Sequence, residues 1–93
     1  MTKLSDFDLL VYTWAQEALR QVRAKYHDGV LDVHQTEVGR VAQQHGFYQR
    51  ENPRPHVRPA LDRLVEAGYL RRVFQNSFEF TNQSPLTILA RES

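Results

Sequence analysis

The stretch VRPALDRLVEAGYLRRVFQNSFEFT, residues 57 to 81, decides how the rest of the chain is read. Val57, Leu61, Leu64 and Val65 recur at helical spacing and define one apolar face, while Arg58, Asp62, Arg63 and Glu66 fall on the other. The spacing predicts a helix over 56–67, with Pro59 in its first turn, where a missing N–H costs nothing. Gly68 ends it by supplying a left-handed residue, and Tyr69 and Leu70 offer the apolar contact that accompanies such a cap. Leu70 to Phe74 and Phe78 to Thr81 are β-prone runs. Gln75-Asn76-Ser77 between them has turn chemistry, so residues 70–81 read as a hairpin.

Working outward, Phe7, Leu10, Val11, Trp14, Ala15, Ala18, Val22 and Tyr26 form the apolar stripe of a long helix over 6–27, capped by Ser5 or Asp6. Arg20, Arg23 and Lys25 lie toward its C-terminal end, where the helix dipole favours cations. Asp28-Gly29 breaks it. Val30 to Val33 is a short β-prone run, giving a strand over 30–33. A second helix over 36–45 follows, opened by His34 or Thr36, with the Thr36 hydroxyl the better cap; Val38, Val41 and Ala42 face the core, and Gly46 stops it.

TEVGRVAQQHG, from Thr36 to Gly46, and the Leu64, Gly68, Tyr69, Leu70 pattern together resemble the second and third helices of winged helix-turn-helix domains. The resemblance covers nearly the whole chain and implies a mainly α fold with a small antiparallel β wing and a long first helix. It also places Gly39 where two helices cross closely and a bulky side chain does not fit. Two departures stand out. FYQRENPRPH, residues 47 to 56, is longer than the usual turn, and the hairpin tip Gln75-Asn76-Ser77 carries no cation for minor-groove insertion. Phe47 and Tyr48 read either as a plug beneath that loop or as a ligand contact.

Net charge is only +1, but residues 50–72 carry six arginines against three acids, a local +3. All six cations are arginines, which suit bidentate contact to phosphate or guanine. The resemblance turns this segment toward double-stranded DNA: Arg58, Arg63 and His56 nearest the bases, and Arg50, Arg54 and Arg71 or Arg72 nearest phosphates. Arg50 and Arg54 approach a helix N-terminus, whose free amides and dipole favour anions. The plain alternative for the same charges is a solvated helix face with pairs such as Arg58–Asp62. The function the resemblance implies is sequence-specific binding of double-stranded DNA by a small transcriptional regulator whose third helix enters the major groove. A winged-helix protein-interaction module in a replication, repair or defence assembly is the other reading.

Other classes find little support. Ninety-three residues suffice for one modest domain. The histidines at 27, 34, 45 and 56 lack metal-ligand spacing, no glycine-rich phosphate loop exists, and the acids form no paired constellation, so no enzyme, metal or cofactor is expected. The absence of cysteine fits a reducing compartment, no apolar run is long enough to span a membrane, and MTKLSDFD lacks a signal-peptide core, so a soluble cytoplasmic chain is expected. Tyr12 and Leu19 widen the apolar surface of the Phe7 to Tyr26 helix, leaving room for a homodimer partner. The C-terminal segment 84–93 reads equally as helix or strand; its Leu86, Ile88 and Leu89 need cover from the first helix or a second chain.

Overall fold

The computed structural model describes residues 3–83 as three helices and a three-stranded antiparallel sheet. In chain order these are α1 (Asp6–Lys25), β1 (Asp32–His34), α2 (Gln35–Gln44), α3 (Arg54–Glu66), β2 (Leu70–Phe74) and β3 (Ser77–Phe80). The expected C-terminal element over 84–93 lies outside the described residues.

Ser5 caps α1. Its hydroxyl accepts from the Asp8 N–H at 3.1 Å and its own N–H donates to the Asp8 carboxylate at 3.0 Å, a reciprocal pair that satisfies two donors at the helix start. The helix ends two residues earlier than its apolar stripe suggests: Tyr26 is the C-cap and is mostly exposed, and the chain leaves on a turn in which Gly29 N–H donates to His27 Nδ1. Arg23 Nε then donates to the Val30 carbonyl at 2.8 Å, and the strand begins only at Asp32.

His34, rather than Thr36, caps α2. Its Nδ1 accepts from Thr36 N–H at 3.1 Å, while the Glu37 carboxylate accepts from His34 N–H at 2.7 Å, so the helix opens at Gln35. Both α2 and α3 close with glycine in the left-handed region, Gly46 at φ +92° and Gly68 at φ +88°. After each, the paired backbone bonds of a Schellman cap form: Phe47 N–H to Ala42 O and Gly46 N–H to Gln43 O, then Tyr69 N–H to Leu64 O and Gly68 N–H to Val65 O.

The start of α3 departs from expectation. Asn52 Oδ1 accepts from Arg54 N–H at 3.1 Å and the helix begins there, which puts Pro59 inside it. An interior proline forfeits a backbone bond to the residue four earlier. Here that residue is Pro55, and both rings lie on the exposed side, so the freed carbonyl can be solvated.

The sheet order is β1-β3-β2. Val33 pairs with Phe78, Leu70 with Phe80 and Arg72 with Phe78, and the β2–β3 ladder is irregular between Arg72 and Phe74. Val33, Leu70 and Phe78 therefore share the inner face, where they meet Val11, Trp14 and Ala15 of α1, Val38 and Val41 of α2, and Val57, Leu61 and Leu64 of α3 in one core. Tyr12 is buried edge-on against Phe80 at 5.3 Å, and Leu19 also packs on the core. Tyr12 and Leu19, which widen the apolar surface of α1, are thus used within the fold. Gly39 is where α2 meets the entry to α3: a Cβ there would lie 2.7 Å from Pro53 Cγ.

Candidate functional site

Arg50, Arg54, His56, Arg58, Arg63, Arg71 and Arg72 are the residues expected to form the contact surface. The structure distributes them among quite different environments. Arg58, on the first half of α3, is tied down. Its Nη1 donates to Gln35 Oε1 at 2.9 Å and to Asn76 Oδ1 at 2.8 Å, its Nε donates to Asp62 at 3.0 Å, and its guanidinium lies 5.3 Å from the centre of the Phe78 ring. Gln35 is buried, and its backbone N–H donates to the Asn76 carbonyl at 2.9 Å. This one arginine therefore links the start of α2, the middle of α3 and the hairpin tip.

Arg63 is held on the other flank of α3. Its Nε and Nη2 donate to the Asp8 carboxylate at 2.7 to 3.0 Å, and Asp8 is only 1% exposed. Burial pushes the Asp8 carboxyl toward protonation, but the Arg63 guanidinium and the Ser5 cap outweigh it and hold it below the ordinary carboxylate range. Asp8 lies on the buried side of α1, one turn before Val11 and two before Ala15. An acid in such a position was the available signal that a cation must reach it.

Between these two arginines the outermost ridge of α3 is formed by Pro55, Pro59, Asp62 and Glu66, all exposed. That ridge holds no cation. The first-turn amides of α3 are also occupied or missing: Arg54 N–H goes to Asn52, Pro55 has none, and His56 N–H goes to the Pro53 carbonyl at 3.0 Å. An anion at this helix start therefore meets side chains and the helix dipole, not the free amides the sequence suggested.

His56 stacks on Tyr48, with ring centres 4.2 Å apart and planes 3° from parallel, and contacts the Glu51 carboxylate at 3.3 Å. Tyr48 itself has φ +52°. Burial and the nearby Glu51 charge raise its phenol above the usual value. Phe47 packs edge-on against Trp14 at 5.0 Å, so the loop aromatics act in part as a plug. Arg71 is paired with Glu79 across the ladder on the outer sheet face. Arg72, on the opposite face, lines a shallow groove with Asp62, Glu66 and Leu70.

Arg50, Arg54 and Arg72 are exposed, and their guanidinium groups make no hydrogen bond or ion pair with another described residue. Arg54 and Arg58 share a concave surface with Gln35, Asn52 and Asn76 between α3 and the hairpin tip. Among the described residues no group of three or more His, Asp or Glu side chains is placed to hold a metal ion, and no helix is long and apolar enough to cross a membrane. Compared with protein-family models, curated proteins and solved structures, the chain matches none, and the site stands on its own geometry.

Proposed function

We propose that the chain is a winged helix-turn-helix domain that binds double-stranded DNA, mainly through phosphates, as a small transcriptional regulator. The observation that carries this reading is α3 lying beside the β2–β3 hairpin, joined to it through Arg58 and Asn76, with the guanidinium groups of Arg54 and Arg72, unpaired with any described residue, in the grooves on its two sides and that of Arg50 exposed in the loop before α3. The order of elements, a long helix, a short strand, two helices and a hairpin, supports this reading. Phosphate contact asks only for long, mobile cations, and these three arginines supply them. Base readout by Arg58 or Arg63 would first require breaking the bonds to Gln35, Asn76 and Asp8, so their part in binding is to hold the surface in shape.

The ridge of Pro55, Pro59, Asp62 and Glu66 favours a second reading, a protein-interaction module within a larger replication, repair or defence assembly. Carboxylates at the most prominent line of α3 repel a polyanion and suit a protein partner.

Fluorescence anisotropy with random and selected duplexes across a salt series separates the two. DNA binding predicts affinity falling with salt at a log–log slope of roughly −0.9 per phosphate contact. Arg54→Ala and Arg72→Ala should each reduce the magnitude of that slope by about 1 and weaken all duplexes alike. A chain that binds no duplex even at low ionic strength refutes the DNA reading in favour of the interaction module.

A further inference from the structure

The outward side of α1 is not used by the surface described above, and it has its own order. Asp6, Leu10, Thr13, Glu17 and Arg20 follow one another at intervals of three and four residues, which places them along a single ridge of the helix. Leu10 is 36% exposed, and Phe47, from the loop after α2, is 40% exposed; both line one shallow groove with Thr13, Trp14 and Glu17. The Thr13 hydroxyl donates back to the Leu10 carbonyl at 2.7 Å, so its hydrogen-bonding need is met within the helix.

The charges along the ridge are what specify an occupant. Asp6 stands seven residues before Thr13, and Arg20 stands seven residues after it. If a second copy of α1 lies antiparallel with the two-fold axis at Thr13, each Asp6 meets the other copy's Arg20, while Leu10 and Phe47 close over the groove between the helices. A parallel copy would instead set Asp6 against Asp6 and Arg20 against Arg20. Arg20 is free to exchange partners, because its contact to Glu17 is long, at 3.4 Å, and its side chain is 76% exposed. Glu17 remains satisfied by His45 Nε2 at 2.7 Å.

We propose that this α1 ridge, together with Phe47, is the face on which a second copy of the chain docks, antiparallel and two-fold about Thr13. One helix pair with a single flanking aromatic is a small contact, at the low end of specific interfaces, so the association is reversible and concentration-dependent. The proposal does not rest on the DNA reading. It concerns a different surface.

Sedimentation equilibrium of the full chain, extended to concentrations on the order of 1 mM, is the first test. A monomer–dimer equilibrium is expected. Arg20→Asp and Asp6→Arg should each weaken it about tenfold, and the double variant carrying both should return to within about threefold of the parent, because the swap restores the cross-copy pairs. Arg40→Asp, the same charge change away from the ridge, should leave it unaltered. The two-fold itself is tested by disulfide trapping, since the chain has no cysteine of its own. Thr13→Cys places one thiol at the axis and should oxidise to a covalent dimer, whereas Arg40→Cys should not. Circular dichroism confirms that the variants remain folded. A parent chain that stays monomeric throughout the series overturns the proposal and leaves the ridge to a partner of another kind; so does a folded double variant that dissociates as readily as the single ones.

Discussion

Removing Arg63 should damage this protein more than removing the buried acid it holds. Arg63→Ala takes away three donor contacts, two from Nε and one from Nη2, and leaves Asp8 with a carboxylate that is only 1% exposed. Breaking a buried pair in this direction typically costs about 3–5 kcal/mol. The lower end applies here: the Ser5 N–H still bonds Asp8, and truncating a side chain that is 42% exposed lets water approach. Asp8→Ala removes the charge itself and frees Arg63 to swing into solvent. Its loss is half of the α1 cap and one anchored side chain, about 1–2 kcal/mol. With a urea slope near 1 kcal/mol/M for a small domain, the midpoints should fall by roughly 3 M and 1–2 M respectively. The acid limb carries a second signature. Asp8 has a depressed folded pKa, so its stabilisation is complete above the ordinary carboxylate value near 4 and is lost as pH falls through the lower folded value. Parent and Asp8→Asn should therefore converge in stability as pH drops below about 4. Urea melts at several pH values measure both effects. If Asp8→Ala proves the costlier change, or Arg63→Ala melts with the parent, the buried-pair account of Arg63 is wrong.

Three further outcomes follow from positions described above. Gly39→Leu should lose about 1–3 kcal/mol in thermal or chemical melts, because even the first added carbon meets the Pro53 ring at 2.7 Å; a variant as stable as the parent would misplace that crossing. Gly68→Val should lose roughly 1–2 kcal/mol mainly from backbone strain at φ +88°, since the nearest atom to the added carbon, Gln83 Oε1 at 3.8 Å, is in ordinary contact, and equal losses for Gly68→Ala and Gly68→Asn would contradict a left-handed cap, where asparagine is the better tolerated. Arg58→Met keeps an apolar stem over Phe78 but gives up Gln35 and Asn76, so hydrogen exchange at the hairpin tip should quicken while α1 stays protected; unchanged exchange at Asn76 and Ser77 would show that the tip does not depend on Arg58.

The order of helices and strands was readable because it rests on short-range pattern. Gly46 and Gly68 mark helix ends by a steric rule, and the Val57, Leu61, Leu64 spacing marks a buried face. The start of α3 was misread for an equally local reason: Pro59 carries a known cost inside a helix, and what lowers it, a Pro55 carbonyl on the exposed side, depends on how α3 is rotated in the fold. The His34 cap was obscured because hydroxyl and carboxylate caps are commoner than imidazole. The Arg58–Asp62 pair, four residues apart on one helix, was legible locally and is present at 3.0 Å. The other contacts were not: Arg63 reaches Asp8 on α1, and Arg58 also reaches Gln35 and Asn76, partners that only the packed chain brings near.

The strand order has a consequence for when the protein can fold. β3 is the central strand, and it is the last described element to be made; β1, which pairs with it through Asp32 and Glu79, precedes it by two helices and a strand. Until Ser77 to Phe80 has left the ribosome, β1 and β2 have no neighbour to pair with, and the space later filled by fully buried Phe78 is open. Such non-local pairing is slow to close and leaves apolar surface exposed while it waits. A nascent chain arrested before Ser77 should therefore remain sensitive to protease, and a chain arrested well past Phe80 should be resistant, with little gain at any stop in between the two earlier helices.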